Sequence, residues 1–432
     1  MAVLVLLLLL LVHALPWLFQ KKKSVVESPA KLAALLSAIQ ILPQFAILIY
    51  FPERSLIYGK NTPDFQSLLA SFGFLYAFGT LLFYFGLGFG KATARVVLPR
   101  IRPAREIRRP GKVILFLLVL YFILMFQIFQ SSGGLVYYLS NIGARASMLA
   151  GSGVFFLFSS PASYMIIFLA IFSYAKSGRP SLPLVFLLII LLTGVESLLG
   201  GRRQPVQMLI FAAFAFSIFS PGFKLYSSRN LFFVGGAVVI FVVLLLVRIG
   251  DNQTVDAIEL VLNLSHIDPY LFIVSHFSVH DYWYGQTFMD IVQRVVPVYK
   301  LQSPSPIDEG VYVYNLFLGN AVSPPTPMAE MSWNSWPAGT FGNGYMNFGA
   351  LGVLGFNFLR GVLISIAFIV SHKSKHAPAF LLVYLWMAFG FHVSNLKITQ
   401  FLMLVVGLFA LMPIISFLNR VTVGKAPMSR QV

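Results

Sequence analysis

The sequence predicts an all-α polytopic membrane protein with about 11 transmembrane helices and one large periplasmic loop. Composition carries the first part of that expectation. Of 432 residues, 58% are hydrophobic and only 10% charged, against about 25% charged in a typical soluble domain. Mean hydropathy is +0.82. Apolar runs long enough to cross a bilayer fall near 2–19, 31–51, 66–90, 113–130, 155–175, 183–200, 206–220, 231–249, 343–370, 378–396 and 399–418. With no cysteine, the chain holds no disulfide, thiolate metal site or cysteine nucleophile.

Orientation follows from the basic residues. Of 31 Lys and Arg, 21 fall on one side of the predicted spans: Lys21–Lys23 and Lys31, eight between Lys91 and Lys112, the pairs Lys176/Arg179, Lys224/Arg229 and Lys373/Lys375, and three in the tail. Positive charge accumulates on the cytoplasmic side. The N-terminus is therefore expected outside and the C-terminus inside. The net charge of +17 is then an orientation signal, which removes nucleic acid as a partner and leaves membrane lipids. Three segments result: 1–249 with eight spans and the basic cytoplasmic loop 91–112, the periplasmic loop 250–338, and 339–432 with three spans and a cytoplasmic tail.

The loop carries nine of the fourteen acids and three of the seven histidines. Ile258, Leu260, Val261 and Leu264, and then Leu271, Phe272, Val274 and Ser275, have the spacing of short amphipathic helices. Val296–Pro337, dense in Pro, Ser, Asn and Gly, reads as irregular. A second outer segment, 131–154, has the apolar spacing of an interfacial helix with Arg145 on its polar side.

Positive-inside bias does not explain the outer arginines. Arg202 and Arg203 follow Gly200 and Gly201 at a turn between spans. Arg248 ends a span, Arg145 lies in the short outer segment and Arg294 in the loop. Guanidinium groups gathered at span ends suit bidentate contact with phosphate. A lipid diphosphate presents its head group at that depth. Snorkelling to head groups is the competing reading of each arginine.

His266 and His276 are candidate general bases because imidazole titrates near neutrality. Asp268 and Glu330 are alternatives, although Asp268 before Pro269 also reads as a helix cap. His276 and His280 stand four apart, yet no third ligand follows at metal-site spacing, so no metal is expected. Tyr282, Trp283 and Tyr284 lie in outer sequence, where aromatic faces stack on sugars or form an interfacial belt. Arg360 is the one cation well inside a span.

Several segments in order resemble the Wzy-type polymerases of bacterial surface polysaccharides, the family of O-antigen and enterobacterial common antigen polymerases. GGRRQPVQMLIFAAF at 200–214 is similar to that family's Gly-Gly-x-Arg segment, matching Arg203. LVRIGDN at 246–252 resembles its arginine-glycine span end, matching Arg248. YGQTFMDIVQRVVPVYK at 284–300 and FGNGYMNFGALGVLG at 341–355 resemble its glycine-led loop helix and its Asn-Phe-Gly-x-x-Gly segment opening a span. None of the loop histidines matches a family position. The resemblance implies a GT-C-like helical fold in the bacterial inner membrane and inverting glycosyl transfer at the periplasmic face without metal or cofactor. It implies undecaprenyl-diphosphate-linked glycans as donor and acceptor, and a Wzz-type chain-length regulator as partner. A ligase using the same arginine clamp is the nearest alternative. A flippase is less favoured, because the chain lacks the two related halves of many transporters.

Overall fold

The computed structural model describes residues 1–21, 23–59, 64–97, 110–141, 148, 153–199, 203–220, 267–287, 309–324, 326, 331–332, 334–336, 338–373, 378–390 and 405–415. Among these residues all regular structure is helical. Six helices are long and apolar enough to cross a membrane, and the architecture is that of a multi-pass helical membrane protein. The elements are α1 (Ala2–Phe19), α2 (Pro29–Tyr50), a 3₁₀ turn (Pro52–Arg54), α3 (Phe65–Val97), α4 (Pro110–Ser131), α5 (Leu135–Ser140), α6 (Gly153–Ser177), α7 (Leu182–Leu199), α8 (Arg203–Phe219), α9 (Ile267–His276), α10 (Glu309–Phe317), α11 (Gly339–Lys373), α12 (Pro378–Gly390) and α13, within Val405–Ile415.

The six long helices are α1–α4, α6 and α11; α7, α8, α12 and α13 are apolar but shorter. The span expected at 231–249 and the short helix expected at 258–264 lie outside the described residues. Apolar side chains point outward in quantity, among them Leu4, Leu7, Leu115, Ile123, Phe126, Leu187 and Ile190. In water such faces would be a liability; against acyl chains they are the solvated surface.

The chain divides into two compact units, the first comprising Met1–Arg102, Thr254–Val370 and Tyr384–Leu402, the second Pro103–Gln253, Ser371–Val383 and Met403–Val432. In the second, α4 packs on α6, and α6, α7 and α8 pack on one another. Glu196 on α7 is 1% exposed; its carboxylate accepts from Tyr121 at 3.2 Å and from Ser163. A buried carboxylate held by two hydroxyls has the partners that burial demands.

In the first unit, α1, α2 and α3 pack against one another, and α9 lies on α2 and α3. The α1–α2 turn is closed locally. Ser28 caps α2 by accepting from the Lys31 backbone at 3.1 Å, and Pro29 takes the first helical position, where its missing N–H costs nothing. Lys31 Nζ donates to the Lys23 carbonyl at 2.5 Å and lies 4.9 Å from the Trp17 ring centroid. α3 has 33 residues and so measures about 50 Å, well beyond the roughly 30 Å hydrocarbon core. Lys91 and Arg95, expected in a basic loop, continue this helix.

α11 crosses α3 through glycines. A Cβ on Gly86 would stand 2.2 Å from the Phe358 carbonyl oxygen, one on Gly90 2.5 Å from that of Val362, and one on Gly361 2.2 Å from that of Phe83. Gly86-x-x-x-Gly90 is the small-residue spacing that lets two helix backbones touch in a bilayer.

The span expected at 343–370 is corrected. α11 is bent at Phe348 (φ −145°, ψ 18°) and Gly349 (φ 60°, ψ −146°). Gly344 and Gly352 would lie about 12 Å apart in a straight helix. Here a Cβ on Gly352 would stand 2.0 Å from the Gly344 carbonyl oxygen. Residues 339–347 thus form a separate helical segment folded back on the span that begins at 350.

The loop is more ordered than its composition suggests. Val296–Pro337, expected to be irregular, contains α10. A small core of Ile273, Phe277, Trp283, Val311, Tyr312, Met331 and Met346 joins α9, α10 and the first segment of α11. Asn315, fully buried, knits the extended chain after α10. Its Nδ2 donates to the Ser332 carbonyl at 3.1 Å, and its Oδ1 accepts from the Ser332 amide at 2.9 Å. Replacing Gly86 or Gly361 with Ala is expected to cost about 1–3 kcal/mol by overpacking. Gly88→Ala, whose Cβ meets nothing within 4 Å, should be neutral or stabilising; denaturation midpoints of the purified protein check the contrast.

Candidate functional site

The described residues hold two polar constructions in the first unit: a knot at the bend of α11 and a cavity around Arg360.

The knot joins the turn at 282–287 to the first segment of α11. Asn347 is fully buried. Its Oδ1 accepts from the Gly285 amide at 2.8 Å, while Nδ2 donates to Thr287 Oγ1 at 2.9 Å and Asn343 Oδ1 at 2.8 Å. The Trp283 amide donates to the Met346 carbonyl at 2.9 Å. Gly349 completes the arrangement: a Cβ there would stand 2.3 Å from Tyr282 Oη, and its φ of +60° suits only glycine at that ψ. The turn and the Asn-Phe-Gly segment, 62 residues apart at the Gly285–Asn347 hydrogen bond, are one structural feature.

This geometry sorts the aromatic candidates. Trp283, expected as a sugar-stacking face, is corrected to a core residue: it is 6% exposed, and its ring lies 5.0 Å from Phe277 and 5.6 Å from Tyr312. Tyr282 is half-buried, packed edge-on against Tyr345 at 6.2 Å. Tyr284 alone of the three is well exposed, at 63%, with its hydroxyl donating to the Val279 carbonyl at 2.6 Å.

The acid–base candidates separate likewise. Asp268 sits in the first turn of α9, where its carboxylate accepts from Ser55 Oγ at 2.5 Å, Gln44 Nε2 at 3.1 Å and the Leu56 backbone. Burial raises its pKa, and those three donors oppose the rise. Gln44 also accepts from the Ile267 amide at 2.8 Å, so Asp268 and Gln44 together fasten α9 to α2. The carboxylate thus ties α9 to α2 and to the chain that follows α2 at Ser55 and Leu56, and these partners are not the first-turn amides that a helix cap would take. His276 ends α9 with its ring stacked on Phe272 at 5.1 Å; burial lowers its pKa and Asp281 opposes that. Asp281 is held below its ordinary pKa by the Ser278 hydroxyl and amide. His280 lies in a turn beyond the helix end, so its four-residue spacing from His276 does not put both on one helical face. His266, Glu330, Arg145, Arg202, Arg248 and Arg294 lie outside the described residues. Arg203 opens α8, and its side chain lies outside the described part.

The second construction surrounds the one cation that the sequence places well inside a span. Arg360 is 5% exposed at the α3–α11 crossing. Its Nη1 donates to Asn357 Oδ1 at 3.4 Å, and its guanidinium carbon lies 4.7 Å from the Phe83 ring centroid, a cation–π contact. A cavity here is lined by Ser37, Gln40, Tyr76, Tyr84, Tyr270, Thr340 and Arg360, among others. One wall is a hydroxyl relay. His13 Nδ1 is 2.6 Å from the Leu9 carbonyl and must carry the proton there. In the neutral ring Nε2 then accepts from Ser37 Oγ at 2.8 Å. Ser37 in turn accepts from Tyr76, 2.6 Å away. The tautomer follows from the carbonyl partner. A cation in a span was the visible signal; its surroundings come from α1, α2, α3, α9 and α11, which no local pattern connects.

No protein-family model, no curated protein and no solved structure matches the chain. Gly349→Ala should destabilise the knot by several times the cost of an ordinary Gly→Ala exchange, of order 1–3 kcal/mol for the backbone alone. Asn347→Ala should cost about 1–3 kcal/mol through stranded partners. Equilibrium unfolding and protease sensitivity of the 282–287 turn read both.

Proposed function

We propose that the protein is a membrane glycosyltransferase that joins undecaprenyl-diphosphate-linked oligosaccharide repeat units into a surface polysaccharide of O-antigen type. On this reading it works at the periplasmic face of the bacterial inner membrane, with a GT-C-like arrangement of about 11 spans.

The observation that carries the reading is the knot. Two of the segments that resemble the polymerase family, 284–300 and 341–355, lie far apart in sequence and are hydrogen-bonded to each other through Gly285, Thr287 and Asn347. On this reading, a loop anchored to the head of a span would meet a lipid-linked sugar at the membrane surface. The multi-pass architecture supplies the bilayer access that a polyprenyl substrate requires.

In the proposed reaction a hydroxyl oxygen of the acceptor sugar attacks the anomeric carbon of the lipid-linked growing chain. The new glycosidic bond forms as the anomeric C–O bond to the diphosphate breaks, and its electron pair leaves with undecaprenyl diphosphate. The hydroxyl proton passes to a loop base, for which His266, His276 and Glu330 are the candidates. The leaving group departs already charged, so its stabilisation needs cations more than a proton. Arg203 and Arg248 are the first candidates, with Arg145, Arg202 and Arg294 as further donors. Positioning of two glycan chains by the loop supplies the attack geometry.

Arg203→Ala is expected to leave membrane expression intact and lower polymerisation about 10²–10³-fold, the usual loss for one such donor. Gel analysis of surface polysaccharide should then show single repeat units in place of a ladder. An unchanged ladder would falsify the role of Arg203. Accumulation of free, full-length lipid-linked polymer would instead identify a ligase.

A further inference from the structure

The turn at 282–287 contains one residue whose conformation the fold does not explain. Among the described residues, Tyr284 is the only non-glycine with a positive φ, at 47°. Gly285 follows at φ 90°, and the Gln286 amide donates to the Trp283 carbonyl at 2.9 Å. Two successive positive φ angles closed by that hydrogen bond have the pattern of a type I′ turn. Such turns take Asn-Gly, Asp-Gly or Gly-Gly, because a bulky side chain is strained at positive φ.

Packing does not offset the strain. Tyr284 is 63% exposed, and its one ring contact among the described residues is with Tyr282, at 6.1 Å and 75°. Trp283 already fills the core on the other side of the turn. Strain kept at an exposed aromatic residue points to a role outside the stability of the chain.

The orientation of the ring narrows that role. Its hydroxyl donates to the Val279 carbonyl at 2.6 Å, so the polar tip is turned back onto the chain and the apolar body is left exposed. A tyrosine of an interfacial belt does the opposite, with its ring in the apolar zone and its hydroxyl towards water and head groups. Held at both backbone and hydroxyl, the ring is pre-organised before any ligand arrives.

The turn on which the hydroxyl rests brings a polar group alongside. It is closed by the Asp281 amide, which donates to the Ser278 carbonyl at 3.0 Å. Asp281 is exposed. Its Oδ2 accepts from the Ser278 hydroxyl at 2.5 Å, and among the described residues nothing donates to its Oδ1. A flat aromatic face beside a carboxylate acceptor suits a pyranose, which offers a face of C–H groups and a rim of hydroxyl donors.

We propose that Tyr284 is a fixed stacking platform for one pyranose ring of a glycan chain, with Asp281 accepting from the sugar hydroxyls. The proposal rests on the glycosyltransferase reading and adds to it a saccharide contact at the knot.

The test uses the full-length protein in detergent and oligosaccharides released by mild acid from the surface polysaccharide of the cells that make it. Calorimetry reads affinity, and the unfolding midpoint is read in parallel. Tyr284→Asn installs the Asn-Gly pair that the turn prefers. Its midpoint should equal or exceed that of the wild type, while affinity should fall about tenfold, the loss of one substantial binding contact. Tyr284→Phe keeps the ring and should retain most of the affinity. The proposal is overturned if the wild type binds no saccharide or if Tyr284→Asn binds as the wild type does, which would assign the ring to the bilayer or to a protein partner. It is equally overturned if the Tyr284→Asn midpoint falls, which would make the tyrosine a structural part of the turn. Binding is read here without transfer. A protein that grips saccharide through Tyr284 but forms no polymer keeps this proposal and loses the glycosyltransferase reading; the reverse pattern loses this proposal alone.

Discussion

The close approach of two backbones at the α3–α11 crossing governs the rest of the first unit. Lipid tails are as apolar as leucine, so helices in a bilayer gain little from burying apolar faces and associate through tight packing and polar contacts. Gly86 and Gly90 on one helix and Gly361 on the other bring carbonyls to distances that any side chain would block. Arg360 adjoins Gly361 in sequence, so the crossing carries the guanidinium into the helix interface, against Phe83. Asn357, one turn earlier, lies over Gly79 and accepts from Arg360. A side chain at 86 or 361 would separate the helices and with them the walls of the cavity.

Irregular backbone near a membrane raises a second constraint, because unpaired amides and carbonyls have no water to turn to. The bend of α11 and the extended chain after α10 meet it with the same residue type. Asparagine offers two donors and an acceptor on a short stem, and Asn347 and Asn315 use both functions at once. Each is fully buried, where an aspartate would need charge compensation and a leucine would leave amides stranded. The Asn-Phe-Gly segment thus has a conformational reason: asparagine ties the incoming turn, and glycine takes the backbone angles of the reversal.

Hydropathy made the long helices legible, since α1–α4, α6 and α11 each coincide with an apolar run. The helix at Ile267–His276 was legible from its spacing. The bend at 348–349 was not: FGNGYMNFGALGVLG reads as one continuous apolar opening, and the reversal depends on the turn at 282–287 docking on it. Trp283 looked like Tyr282 and Tyr284 in sequence. Alternate side chains of a turn face opposite ways, and this one faces the core of α9 and α10. Helix α10 was hidden because Pro, Ser and Asn on either side dominate the local composition. Arg360 was conspicuous as a charge, but its neighbours come from segments as far apart as Ser37 and Thr340.

The polar layer around Arg360 also bears on how the unit reaches one arrangement of its helices. Apolar helix faces of similar size tolerate sliding by a turn, because leucine against leucine is nearly the same contact in either register. A polar layer does not tolerate it. His13 on α1, Ser37 and Gln40 on α2, Tyr76 on α3, Tyr270 on α9 and Arg360 on α11 meet only in one register, through His13–Ser37–Tyr76, Gln40–Tyr270 and the shared cavity. A slip of one helix by one turn, about 5.4 Å, would break those links and leave several polar groups facing hydrocarbon. Buried networks act together in this way, satisfied as a set or costly as a set. The layer therefore does for α1, α2, α3, α9 and α11 what a buried asparagine does for a coiled coil: it selects the register.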